Sequence, residues 1–166
     1  MRLFDKKLHK YFYNYIFQSI LATLTLIFIL YFETIFTNIA IVASLGATTF
    51  IIFAMPKYTT AQPRRVIGGH LVGIIVGILC NYIHPLLQIR FFNSGELLNI
   101  IIPAFSVGLA IFIMVITNTE HPPAAGTALG ITINGWIFAT LLVILFTTIV
   151  LSLTRHFTKA WLKNLV

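Results

Sequence analysis

"NTEHPPAAGTALG", from Asn118 to Gly130, is the stretch on which the reading of this chain turns. It places an acid, a histidine and two adjacent prolines between apolar runs, then resumes with small residues. Proline is favoured at the first position of a helix, where it donates no N–H and its φ is preset. Pro122 and Pro123 therefore predict a helix start. Gly126 and Gly130 carry no side-chain bulk, so another backbone or a small solute can come close. A helix end, a turn and a restart are expected here, at membrane depth or at its edge. Lipid satisfies no backbone polar group, so such a break must be lined by protein or water.

The rest of the chain supplies the membrane. Of its 166 residues 58% are hydrophobic and 9% charged. That leaves too little polar surface for a soluble domain. The expected fold is an all-α polytopic membrane bundle of about five transmembrane helices. Apolar runs place the spans at about Ile16 to Phe32, Ile35 to Met55, Val66 to Leu87, Leu97 to Thr117 and Trp136 to Leu153. Before them, Phe4, Leu8, Tyr11, Phe12 and Tyr15 fall at helical spacing among Arg2, Lys6, Lys7 and Lys10. Residues 1–15 thus read as a basic amphipathic helix lying in the interface. Residues 16–153 read as one transmembrane domain and 154–166 as a basic tail. The all-apolar first span is expected at the periphery. No small-residue cleavage site marks the N-terminal stretch as a signal peptide.

Net charge is +7. The cations lie at the ends and in short loops, with no long basic face, so nucleic acid is not expected as a partner. Lipid head groups or a small anion are. The N-terminal segment and the loop with Lys57, Arg64 and Arg65 outweigh Arg90, Arg155, Lys159 and Lys163. By the positive-inside rule the N-terminus is cytoplasmic, in a plasma (inner) membrane. Five full crossings would then leave the basic tail on the opposite side. Either the tail overrides the rule or one segment does not cross fully.

A second stretch echoes the first. "SLGATTFIIFAMPKYTTAQPRRVIGGHLVG" from Ser44 and "SVGLAIFIMVITNTEHPPAAGTALGITING" from Ser106 share a pattern. Each runs small residues, an apolar helix, a polar loop, proline and a glycine-rich helix start. This weak repeat suggests two helix pairs about a common centre. Pro63 then parallels Pro122 and Pro123. Helix N-termini offer N–H donors and the positive dipole end, which suit an anion. Gln62, Arg64 and Arg65 beside one start, Asn118, Thr119, His121 and Thr127 around the other, and His70 make a candidate anion path. Well-formed helix starts with no ligand are the plain alternative. Gly68, Gly69, Gly73, Gly77, Gly126 and Gly130 read as close-packing positions, within a subunit or between subunits. His70, Gly77, Asn81 and His84 share a helix face, which should point inward. Glu120 could pair with Arg64, support His121 or sit exposed. The lone Cys80, the scattered histidines and the lack of a nucleophile or phosphate-loop motif give no catalytic residues, metal site or cofactor. An enzyme is not expected.

"LGATTFIIFAMPKYTTAQPRRVIGGHL" and "HPPAAGTAL" together resemble the two marked stretches of the HPP family of small integral membrane proteins. The similarity covers about Ile35 to Leu153. It implies a core of four transmembrane helices, with the first span an addition. Plastid and cyanobacterial members are assigned nitrite transport, and some members carry a soluble regulatory domain after the membrane part. By position the resemblance singles out Gln62, Pro63, Arg64, Gly68, Gly69, His70, His121, Pro122 and Pro123. Arg65 stands where Asn is usual. The expected function is a channel or transporter for a small inorganic anion, nitrite first. A structural or assembly subunit of a membrane complex is the alternative, and a homo-oligomer is expected.

Overall fold

A computed structural model describes residues 7–33, 39–91 and 96–166. These residues form six α-helices and no strand. The helices are α1 (Leu8–Glu33), α2 (Ile39–Ala54), α3 (Pro63–Phe91), α4 (Leu98–Ile116), α5 (Pro122–Asn134) and α6 (Phe138–Thr158). A short 3-10 turn, Thr59–Ala61, precedes α3. The helices α1, α3, α4 and α6 are long and apolar enough to cross a membrane, and α2 is a shorter apolar helix. These five correspond to the five expected spans. Arg2, Phe4 and Lys6 of the expected interfacial helix lie outside the described residues. From Leu8 onward that helix and the first span form one element, bent at Tyr11 (φ −121°, ψ 24°).

The sixth helix, α5, occupies the opening motif. It starts where the prolines require it, after His121 in extended conformation. It ends at Gly135, whose φ of 74° favours a residue without Cβ. Its 13 residues rise about 20 Å, short of a hydrocarbon core of about 30 Å. The chain then turns back through α6. This extra helix changes the topology expected from five crossings. The start of α1 and the C-terminal tail come to one end of the bundle, and the tail is not stranded on the other side.

The tail is built into that end. Gln18 on α1 is buried. Its amide donates to the Lys163 carbonyl (2.9 Å) and accepts from the Lys163 N–H (2.8 Å). Tyr15 donates to the Leu165 carbonyl, Leu165 N to Ala54 O, and Lys57 N to the Asn164 side chain. Leu162 is fully buried with Ile29, Phe53 and Leu151. Elsewhere α1 turns most of its apolar surface outward, as a peripheral helix does. Gln18→Ala leaves the Lys163 backbone groups without these partners, a loss of about 1–3 kcal/mol per buried group. The expected outcome is faster amide exchange at residues 163–165, with little change in α3.

At the centre α3 and α5 run side by side in the same direction. The α3 glycines make this possible. A Cβ on Gly69 would lie 2.8 Å from His121 Cβ, and one on Gly77 2.8 Å from Ile131 Cβ. A Cβ on Gly73 would overlap the Ala124 carbonyl. A Cβ on Gly68 would meet Thr119 Cγ2 at 2.7 Å. The stripe therefore packs helix on helix within one subunit. On the other side of α5, Gly126 faces Ser44 and Gly130 faces Ala40 and Ile41 of α2. The sequence echo corresponds to two helix–turn–helix pairs, α2–α3 and α4–α5, each with proline opening its second helix.

Candidate functional site

Where α2, α3 and α5 meet, the interior turns polar. Thr48, His70, His121 and Thr127 are fully buried and Ser44 nearly so. Thr48 lies one turn beyond Ser44, on the same face of α2. His70 follows the Gly68–Gly69 pair, so its ring enters where the backbones are close. His121 is held at the α5 start by the proline pair.

These side chains form one hydrogen-bonded run. Thr48 Oγ1 stands 3.0 Å from His70 Nε2 and 3.0 Å from His121 Nε2. His70 Nδ1 is 2.9 Å from Thr127 Oγ1, which is 3.0 Å from Ser44 Oγ. His121 Nδ1 is 2.9 Å from the Thr60 carbonyl. The two rings are tilted, with centroids 5.2 Å apart. Thr48 and Ser44 also reach the backbone carbonyls of Ser44 and Pro123. A carbonyl only accepts, so His121 donates from Nδ1 to Thr60.

Other candidate residues gather outside this core, at the end where the termini lie. Arg65 pairs with Glu120 and donates to the Asn118 side chain. Glu120 therefore meets Arg65 and not Arg64, because α3 turns Arg64 outward, where it reaches the Thr117 carbonyl at 3.4 Å. Gln62, Arg64 and Asn118 are exposed. Thr119 packs on Gly68 and bonds Thr117. Asn118 takes a positive φ of 57°, which its type tolerates in a tight turn. The Arg65–Glu120 pair is partly exposed, so Glu120→Gln should cost no more than about 1 kcal/mol. The check is a melting temperature that moves little and loses its salt dependence.

The backbone donors expected at the α5 start are absent. Pro122 and Pro123 have no N–H, and Ala124 N donates to His121 O. At the α3 start Pro63 has none, while Arg65 N and Val66 N both donate to Gln62 O. At the α5 start the same prolines that mark the helix remove the groups an anion would use. His70, His121 and Thr127 are thus brought together, and the remaining candidates form a polar rim. Ser44 and Thr48 were legible only as small helix-packing residues. The signal for a larger role is their i, i+4 spacing in an apolar helix.

At the far end an open cleft of about 910 Å³ is lined by Ala43, Asn81, Asn134, Gly135, Trp136 and Thr140, among others. Asn81 donates to the Thr132 carbonyl (3.2 Å), fastening α3 to the last turn of α5. His84, further along α3, is partly exposed. No group of three or more potential metal ligands occurs among the described residues.

Fold and core together define a helical membrane protein with a buried histidine–hydroxyl cluster beside a half-length helix. The profile of the HPP transmembrane region matches residues 9–164, and the chain belongs to that family. It is 33% identical to a transmembrane protein of Dictyostelium discoideum over 89 residues, 54% of this chain and 28% of that protein. A second transmembrane protein of the same organism is 33% identical over 97 residues, 58% of this chain and 27% of the other. The chain thus matches less than a third of the length of these curated relatives. No solved structure matches.

Proposed function

We propose that the chain is a channel or transporter for a small inorganic anion, with nitrite the first substrate to test. One observation carries this reading. Two histidines lie fully buried in an apolar membrane bundle and share one threonine hydroxyl. Ionisable groups are costly at membrane depth and mark ion or substrate paths when they occur. Arg64 and Arg65 sit at the rim above the pair, and a cleft approaches from the opposite end. In this reading the cationic rim draws anions to one mouth. The histidines donate hydrogen bonds to the anion, or a proton, as the bundle opens around them. The backbone donors of the α5 start play no part.

Orientation follows from the shared end of the termini. Lys7, Lys10, Lys57, Arg64, Arg65, Arg155, Lys159 and Lys163 belong to that end, while Arg90 is near the other end of α3. The imbalance supports a cytoplasmic placement for both termini, and a plasma (inner) membrane belongs to the same proposal. Cys80 is buried, so single-cysteine reporters are readable against a quiet background. Lys57→Cys and Lys159→Cys should be shielded from impermeant maleimide in intact cells, and Glu96→Cys labelled. Labelling of Lys159→Cys alone among the first two would overturn the shared end.

A non-transporting subunit of a membrane complex is favoured by one feature: every polar side chain of the cluster has an internal partner. Purified protein in liposomes separates the two. Nitrite or nitrate flux above empty liposomes supports transport, and baseline flux supports the subunit. The homo-oligomer belongs to the same proposal. Its contact is not the α3 glycine stripe, which α5 occupies.

A further inference from the structure

We infer that the Ser44–Thr127–His70–Thr48–His121 run is a one-proton site whose neutral and protonated states differ in the direction of their hydrogen bonds. The inference deepens the transport reading by giving that site a coupling ion, and it rests on that reading for its purpose.

Giving every ring nitrogen a partner selects the states. His121 Nδ1 must donate to the Thr60 carbonyl. With His121 neutral, its Nε2 has only a lone pair, so Thr48 must donate to it. Thr48 has one proton and so must accept from His70 Nε2–H. His70 Nδ1 then accepts from Thr127, and Thr127 accepts from Ser44. Every donor points toward Thr60, and the tautomers of both rings follow from one carbonyl.

One added proton yields a second complete arrangement. Let it arrive at Ser44 Oγ from water or a weak acid. Ser44 passes its own proton to Thr127, and Thr127 passes its proton to His70 Nδ1. His70 releases its Nε2 proton to Thr48, and Thr48 gives its proton to His121 Nε2. At each hop one O–H or N–H bond breaks and one forms. The net charge gained is one, and it rests on the His121 imidazolium. His121 now donates through both nitrogens, to Thr60 and to Thr48. Thr48 donates to His70 Nε2, His70 Nδ1 to Thr127, Thr127 to Ser44, and Ser44 to the Pro123 carbonyl. That last bond is present in the structure, and Ser44 gives it up in the neutral state to donate to Thr127. The Ser44 carbonyl near Thr48 is a resting position for the hydroxyl outside both states.

The surroundings favour one proton and not two. The rings share one hydroxyl with centroids 5.2 Å apart, so two imidazolium charges would repel at close range. Neither α2, α5 nor the 3-10 turn brings another ionisable side chain to the pair. In its first turns α3 brings Arg64, which faces out, and Arg65, which Glu120 pairs. Arg155 on α6 is engaged by the Pro56 carbonyl. Placement also suits entry from the far end. Ala40 and Ala43 wall the cleft, and Ser44 is the next residue of α2. From the end of α5 at Asn134 back to Thr127 is about 10 Å, so cleft and wire follow one another along the bundle.

The test is ¹⁵N-histidine solid-state NMR of the protein in liposomes, with His9, His84 and His156 replaced by Gln. At alkaline pH the expected tautomers are Nδ1–H at His121 and Nε2–H at His70. On acidification His121 should become doubly protonated while His70 stays neutral and moves its proton to Nδ1. In Thr48→Val, His121 should titrate with no tautomer change at His70. The inference is overturned if His70 keeps its tautomer in the wild type, if the rings titrate as two independent sites, or if His70 still switches in Thr48→Val. None of these outcomes depends on anion flux, so a failed flux assay counts against the transport reading alone.

Discussion

Gly73→Ala is expected to lower the stability of the bundle by about 1–3 kcal/mol, the cost of forcing a methyl into a packed contact. The added Cβ would overlap the Ala124 carbonyl. A flexible side chain could rotate away, but a backbone carbonyl in the first turn of α5 cannot. So α3 and α5 must separate, and His70 and His121 separate with them. Gly108 provides the control. It is exposed on α4 and nothing lies within 4 Å of an added Cβ. Gly108→Ala should leave stability unchanged or slightly raised, because alanine is the better helix former. Unfolding of both variants in the same detergent checks the contrast. Equal melting temperatures would mean that the α3–α5 contact is looser than described.

The second large effect is expected from Thr48→Val. Valine keeps the shape of threonine and removes the oxygen between the two rings. His70 Nε2 and His121 Nε2 lose the partner they share. Leaving a buried polar group unpaired costs about 1–3 kcal/mol, so the variant should melt lower while remaining folded. If the pair lies on the anion path, flux should fall at least about tenfold, an increase of about 1.4 kcal/mol in the barrier. Thr48→Ser keeps the hydroxyl and should recover most of both losses. Recovery of stability without recovery of flux would show that the methyl, and not the oxygen, matters to transport.

Much of the architecture was legible because membrane helices announce themselves by length and apolarity. The spans at α1, α3, α4 and α6 followed from that alone, and proline position gave the starts of α3 and α5. α5 itself was readable as a restart but not as a separate helix. Its 13 residues fall below the length that marks a span, and the sign that it ends is Gly135, whose positive φ is a property of the fold. The side of the tail depended on that missing helix. His70 and His121 were visible as polar residues that lipid would not accept. Their meeting at Thr48 was not, because it joins residues from three helices and no sequence pattern encodes the contact. Thr48 and Ser44 look the same in sequence whether they ease helix packing or connect two histidines. The donors expected at the α5 start are missing for a local reason: a residue that signals N1 by lacking an N–H cannot also donate one.

Family membership and the buried pair meet in a single assay. Purified protein is placed in liposomes, and nitrite flux is followed with and without a pH gradient for the wild type, His121→Ala and Thr48→Val. The account predicts wild-type flux above empty liposomes and loss of that flux in both variants, each shown to be folded by its melting transition. Wild-type flux no greater than that of empty liposomes, for nitrite and nitrate alike, would contradict it.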